Sequence, residues 1–521
     1  MLKKILCLGI SMLMLCGLLA GCSSSNNSST TTTAAPTTTS APVAENTTAA
    51  PTDTTAAPST DLPFVTLTWY YPGTEQKDVK LVEDKLQEYL TQKGLNCRVE
   101  LHAIDWGAWG DQTNVMISSG ENFDIMFSAG WDGYLTKVAK GAFVDISDLW
   151  KTYMPNTIAM LPQAYKDAVV VNGKTYGVPT NKDMAHTWGI IYRTDIATEV
   201  GADMTAVHSL ADLGPVLEKV KAAHPDMVGI AMDKADNSNT QLDWDPICGQ
   251  TVPAKLYPNK DFTVINPNST PETLDLLHAM RDFYQKGYIN TDAATLEDRR
   301  PLYNDGKCFC YTTTLKPLVA ADLSKTSGFP YEQLSFTQPF ITSNDAQGSI
   351  NCVSVTSKNP ERALMFLELM NTDPVVNNMV NFGIEGTHYQ LMPDGMRNWM
   401  AGQDRNTVTY YAGADWELGN QFINLLLEGT NPDKWKLYSD MNSSATPSKA
   451  LGFVFDASNV QTEIAAVTNV NQQYEASLFT GTVDPDTTLP EFLQKQKDAG
   501  LDTIIAEAQK QLDAWVTANG K

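Results

Sequence analysis

The chain has 521 residues, with 37 Lys and Arg against 60 Asp and Glu, giving a formal net charge of −23. That charge speaks against nucleic acid or anionic lipid as the partner surface, because both would repel it. The length beyond Asp61 exceeds what one hydrophobic core supports, so two lobes or more are expected.

Met1-Leu2-Lys3-Lys4 opens the chain with positive charge, and Ile5 to Leu19 follows as an apolar run. Residues 1–21 read as a secretory leader. Its end, Leu19-Ala20-Gly21-Cys22, resembles a bacterial lipobox, in which cleavage leaves Cys22 lipid-modified at the new N-terminus. An ordinary signal peptide or a transmembrane helix is the alternative, although the run is short for a span and no stop-transfer charges follow it. Residues 22–61 are almost entirely Ser, Thr, Ala, Pro and Asn, with Val43 the sole branched aliphatic. Such a tract cannot bury enough apolar surface to offset the entropy of ordering it. It reads as a tether, with a coil length of roughly 35 Å. Of the remaining cysteines, Cys97, Cys248, Cys308, Cys310 and Cys352 are odd in number and contain no C-x-x-C. They read as buried small hydrophobes, with one disulfide still open.

Val65 to Tyr70 is rich in branched and aromatic residues and is stopped by Pro72-Gly73, which predicts a strand. Val79, Val82, Leu86 and Leu90 recur at helical spacing until Gly94. Cys97 to Ile104 alternates as a second strand. A helix follows Asp105 and closes near Gly120, and Phe123 to Phe127 forms a third strand. Strand–helix–strand–helix–strand without hairpin turns predicts a parallel α/β sheet. Ligands of open α/β sheets bind beyond the carboxyl ends of the strands. Three aromatic-bearing loops sit there: Tyr71-Pro72-Gly73, Asp105-Trp106 and Gly130-Trp131-Asp132.

The order of these elements resembles the first lobe of an extracellular solute-binding protein of an ABC importer, of the large carbohydrate-type family. Phe123-Asp124-Ile125-Met126-Phe127, Gly141-Ala142-Phe143-Val144-Asp145-Ile146 and Asn172-Gly173-Lys174-Thr175-Tyr176-Gly177-Val178-Pro179 are similar to segments of that family. So are Tyr192-Arg193-Thr194-Asp195 and Asn304-Asp305-Gly306-Lys307. Leu451-Gly452-Phe453-Val454-Phe455-Asp456, Glu463-Ile464, Tyr474 and Gly481-Thr482-Val483-Asp484-Pro485 resemble a C-terminal domain of Gram-positive lipoprotein binders. Phe382 to Tyr389 also resembles that group, and the final helix from Leu501 is amphipathic. The resemblance implies an α/β, two-lobed periplasmic-binding-protein-like fold (type II) with an added C-terminal α-rich segment. Lobe 1 would span 62–180 with roughly 340–380, lobe 2 would span 181–339 with parts of 381–440, and the C-terminal segment would be 441–521.

A sugar offers C–H faces for stacking and hydroxyls for Asp, Asn, Glu or Arg, so a sugar site needs aromatic planes flanked by such groups. Trp131 beside Asp132 is the leading candidate, against simple lobe packing. Trp244, flanked by Asp243 and Asp245, combines a plane with two acceptors, or else is a capped loop with solvated carboxylates. Tyr71 and Trp106 qualify by loop position, with core packing as the alternative. Asn181, Lys182 and Asp183 follow the predicted crossing strand, Tyr311 and Thr313 follow the turn at Gly306, and Glu385 and His388 lie in a Gly-rich segment. For Trp399, Trp416 and Trp435 the sequence does not separate cleft from core.

The chain contains no H-E-x-x-H, G-x-S-x-G, P-loop or dinucleotide fingerprint. The six histidines form no metal-spaced pair, and Asp233 to Asn237 departs from an EF-hand loop. No cofactor or metal is expected. The expectation is therefore a monomeric, lipid-anchored binder on the outer face of a cell membrane, taking a di- or oligosaccharide between its lobes and delivering it to an ABC permease. Closure driven by contacts to both lobes would be the mechanism. A binder of peptides or other polar solutes, a sensor or adhesin, and a surface glycoside hydrolase remain as rivals. The hydrolase would need two carboxylates about 5 to 10 Å apart, for which Asp243 and Asp245 are the close pair.

Overall fold

A computed structural model describes residues 62–242, 244–249, 252–257 and 260–521. The leader, Cys22 and the tether lie outside the described residues, as does Asp243. The predicted run of elements forms as β1 (Val65–Pro72), α1 (Val79–Gln92), β2 (Cys97–Ile104), α2 (Trp106–Ser119) and β3 (Ile125–Ser128). β1 pairs in parallel with β2 from Val65↔Cys97 to Pro72↔Ile104, and in parallel with β3. The strand Ile350–Val353 adds antiparallel to β3, and Val178–Pro179 adds beyond it, completing five strands. Alternation along β1 turns Leu67, Trp69 and Tyr71 into the core. α1 covers that face with Val82, Leu86 and Leu90. Its buried Glu83 accepts from the Leu101 N–H at 2.9 Å and from Arg98 at 2.7 Å, so an inward carboxylate is satisfied by the neighbouring strand.

The second lobe is a four-stranded sheet in the order Tyr331–Ser335, Thr187–Arg193, Cys308–Leu315, Val228–Ala231. The helices Gly214–Ala223 and Pro271–Gln285 pack on its core through Leu217, Val220, Met280 and Phe283. Three C-terminal helices (Gln461–Phe479, Pro485–Asp498, Leu501–Ala518) pack on one another and, through Leu478, Phe479 and Phe492, on Leu277 of lobe 2. Gly481 sets that junction. Its φ is +74°, and a Cβ there would come within 2.2 Å of the Met280 carbonyl oxygen.

Residues 381–440 are split between the two lobes. Tyr410, Ala414 and Leu418 pack into the first core rather than the second, and lobe 2 is touched late in the segment, where Lys434 donates to Asp322 at 3.0 Å. The chain crosses between the lobes three times, and the crossings pair with one another. His186 bridges Phe340, while Phe340 and Ile341 pair with Thr446 and Pro447. The five cysteines of the described residues are free thiols, four of them buried.

Candidate functional site

Asp105 caps α2, its Oδ1 accepting the Gly107 N–H at 2.9 Å, so Trp106 becomes the first helical residue with its ring outward. Trp131 sits at the apex of the turn after β3, where its indole N–H donates to the Gly348 carbonyl at 2.9 Å. The Trp106 ring lies 6.0 Å from Trp131 and 6.1 Å from Trp416, with interplanar angles of 29° and 18°. Trp106 is 49% and Trp131 45% exposed, and Trp131 and Trp416 both rest against the fully buried Phe127. Three indoles therefore make an open aromatic ladder at the carboxyl ends of the lobe 1 strands.

Trp416 is placed by the residue after it. The Glu417 carbonyl accepts from Thr180 Oγ1 at 2.9 Å, Ser349 Oγ at 3.2 Å and Asn351 Nδ2 at 3.0 Å. Asn351 in turn accepts from the Trp69 indole at 3.1 Å, which ties the ladder to the core. The Glu417 side chain is buried, and burial, assisted by the charge of Asp415, pushes its carboxyl up to about 9.

Beside the ladder, Lys182 holds its ammonium 5.9 Å from the Trp416 ring and donates to the Asp183 carbonyl at 3.3 Å. Burial lowers its pKa, opposed by the carboxylates of Asp183 and Asp345. Past Lys182 lies a cavity of about 280 Å³ between the lobes. Asp183 and His186 of the first crossing, Trp188, Thr314 and Lys316 of lobe 2, and Trp244, Lys255 and Asp345 line it. Asp183 Oδ2 pairs with Lys316, while Oδ1 is buried without a hydrogen-bond partner among the described residues. His186 Nδ1 lies 3.3 Å from Asp345 Oδ1. The other Asp345 oxygen accepts from the Thr342 N–H and hydroxyl at 2.8 and 2.7 Å, capping the one-turn helix Ser343–Ala346. Burial would raise the Asp345 carboxyl, but His186 and Thr342 outweigh it and hold it low.

Of the residues singled out from sequence, Asp183 and Trp244 line this cavity, and Trp131 and Trp106 lie in the ladder beside it. Trp244 is mostly buried, donating to Asn239 Oδ1 at 3.0 Å, with part of its ring on the cavity wall. Several others are placed elsewhere. Asp132 turns inward to Lys137 and accepts from Trp109 at 2.9 Å. Asp245 is buried, bonded to the Ser448 hydroxyl, and joins lobe 2 to the third crossing. Tyr71 is 2% exposed because β1 runs on to Pro72 and its alternation points that ring into the core. Tyr311 is buried face to face on Tyr303, 4.1 Å away. Thr313 is half-buried and lines no part of the cavity, in contrast to Thr314 and Lys316 beyond it. Asn181 donates to Asn420 Oδ1 at 3.2 Å and fastens the crossing to lobe 1. His388 is buried, with Nδ1 accepting from Ile384 at 2.9 Å and Nε2 beside Asp78 at 3.3 Å. Glu385 is exposed on the lobe 1 surface, in a separate groove with Lys85 and Leu391. His186, Trp188, Lys255, Lys316 and Asp345 were not visible as site residues in the sequence, since what assembles them is long-range pairing.

The arrangement offers aromatic planes, then carboxylates, ammonium groups and a hydroxyl. It can hold a polar solute with apolar faces. Among the described residues no group of His, Cys, Asp and Glu could hold a metal ion.

Residues 85–386 match the family model described as bacterial extracellular solute-binding protein, and residues 449–517 match a domain of unknown function, DUF3502. A carbohydrate ABC transporter substrate-binding protein of Streptococcus pneumoniae is 30% identical over 88% of this chain and 92% of its own length. The lipoprotein LipO of Bacillus subtilis is 26% identical over 54% of this chain and 60% of its own. The crystal structure of the N-glycan transport solute binding protein NgtS of S. pneumoniae aligns with a TM-score of 0.79 at 27% identity, covering 88% of this chain and all of that one. NgtS has also been solved in complex with Man1GlcNAc and with Man5GlcNAc.

Proposed function

The chain belongs to the bacterial extracellular solute-binding proteins, and we propose that it captures an oligosaccharide between its two lobes and delivers it to an ABC permease. The observation that carries this is the ladder of Trp131, Trp106 and Trp416 beside a cavity rich in carboxylates and ammonium groups. Indole faces match the C–H patches of pyranose rings, and Asp183, Lys316 and Thr314 match hydroxyls at the rim. Because the cavity is lined from both lobes, a ligand there favours whichever arrangement completes both sets of contacts, and closure follows as a shift in population. No bond is made or broken. The glycan complexes of NgtS support mannose- and N-acetylglucosamine-containing oligosaccharides as the first ligands to test.

Cys22, lipid-modified after removal of residues 1–21, would hold the binder on the outer face of the membrane at the end of the 22–61 tether, and the likeness to LipO supports that reading. The protein would act as a monomer. Thermal denaturation with a panel of oligosaccharides and peptides tests the proposal. At a hundredfold excess over Kd, a ligand stabilises the fold by about 2.7 kcal/mol. A shift with peptides and none with sugars would overturn it.

A further inference from the structure

A second cavity, of about 390 Å³, adjoins the first one. It is lined by Trp131 of the turn after β3, by Thr136 of the short helix Tyr134–Ala139, and by Val454 and Ile464 of the C-terminal segment. Asn344 and Gln347 line it as well, and Pro246 borders both cavities. The one-turn helix Ser343–Ala346 separates the two, turning Asp345 to one and Asn344 to the other.

Resting on the sugar-capture reading above, we infer that the C-terminal segment completes a further sugar subsite here, so the ligand is longer than a disaccharide. Four features carry the inference. The outer end of the ladder enters this cavity, and the Trp131 ring has its indole N–H already bonded to Gly348, so its open surface is a plane for stacking. Asn344 is half-exposed and its amide has no hydrogen-bond partner among the described residues, leaving a donor and an acceptor for a hydroxyl pair. The floor is tight: a Cβ on Gly130 would stand 3.0 Å from Gln347 Oε1 and 3.5 Å from Asn344 Oδ1, so the backbone itself keeps the space open. The wall is also fixed in place, because Ser343 Oγ donates to the Ala450 carbonyl at 3.1 Å and accepts the Gly452 N–H at 3.0 Å. A volume of this size holds a small polar ligand. Apolar Val454 and Ile464 line the same cavity as the Trp131 plane, which suits a pyranose ring with its hydroxyls on Asn344 and Thr136.

The experiment is calorimetric titration of the full chain and of Val454→Trp, which fills the cavity, with Man1GlcNAc and with Man5GlcNAc. Thr136→Trp, from a different element lining the same cavity, guards against a folding defect in the first variant. The expected result is a loss of affinity for Man5GlcNAc of at least about tenfold in either variant, with Man1GlcNAc affinity held within about twofold. Unchanged affinity for both sugars, or an equal loss for both, would overturn the subsite while leaving sugar capture intact. A wild-type chain that binds neither sugar overturns the capture reading, and this inference with it.

Discussion

Replacing Trp106 by alanine isolates what the ladder contributes. Trp106 is its middle ring, about half exposed, and makes no side-chain hydrogen bond among the described residues, so its loss removes an aromatic plane and little else. An indole presents roughly 150–250 Å², of which roughly 100 Å² stands open here. A sugar covering half to all of that area gains roughly 1.2–2.5 kcal/mol at about 25 cal/mol per Å². The expected cost is therefore a Kd raised about 10- to 70-fold. In the unliganded protein the substitution loses two ring contacts, each about 0.5–1.5 kcal/mol, so its Tm should fall by only a few degrees. Calorimetric titration gives the first quantity and thermal denaturation without ligand the second. Trp106→Phe should recover most of the affinity, because it restores a plane. A Kd for Trp106→Ala within twofold of wild type would refute the ladder as a sugar platform. An equal loss in the phenylalanine variant would refute stacking as its cause.

Glu417 is held protonated in the fold, its carboxyl lifted from an ordinary 4.5 to about 9, so the folded state keeps a proton that the unfolded chain gives up. Its contribution is complete below about pH 4 and declines as pH rises toward 9, amounting to about 3 kcal/mol between pH 4.5 and 7. Glu417→Gln, which cannot ionise, should flatten that decline in denaturant titrations, and parallel pH profiles for the two proteins would contradict it. Arg193 is buried and chelated by Asp195 at 2.8 and 2.5 Å, and it also donates to the Gly306 carbonyl at 3.1 Å. Because Asp195 is partly exposed and can be resolvated, Arg193→Ala should cost about 1–2 kcal/mol of stability, yet leave sugar affinity within twofold by titration. Lys316→Met leaves Asp183 without its cation inside the cleft. Because Lys316 is partly exposed, about 1 kcal/mol of stability should be lost, with sugar affinity falling about fivefold. Burial pushes the Cys97 and Cys308 thiols up to about 12 and those of Cys310 and Cys352 well above their ordinary value. Iodoacetamide at pH 8 should therefore leave these four unlabelled in the native protein and modify them in urea, as read by mass spectrometry.

The first half of lobe 1 was legible because local periodicity decides it. Val82, Leu86 and Leu90 can only be one helix face, and Cys97 to Ile104 folds as the strand its alternation predicted. Asn172-Gly173 also acts locally, both residues taking positive φ to close a two-residue turn. Trp106 and Trp131 were legible for the same reason, since each lies directly beyond a strand end. Tyr71 misled because the strand runs on through Pro72, still paired with Ile104, so Tyr71 keeps the alternation and faces the core with Leu67 and Trp69. His388 misled because its partner Asp78 is 310 residues away. The same distance problem hid Lys316, whose placement depends on Asp183, and the joining of residues 381–423 to lobe 1, which depends on tertiary packing of Tyr410 and Leu418. Local rules find the stacking surface, and only the closed topology finds the charges opposite it.

The three crossings paired as a ribbon at His186, Phe340 and Thr446 carry a kinetic consequence. On the proposed reading, a solute stacked on the ladder never has to find the second lobe by diffusion, because that lobe is tethered beside it at short reach. The opposing groups act at an effective concentration in the millimolar range or above. Contacts too weak to hold a sugar on their own, such as a single Thr314 hydroxyl, then lengthen residence time instead of governing capture. Substitutions on the ladder should therefore change how readily a sugar is caught, and substitutions across the cleft should change how long it stays.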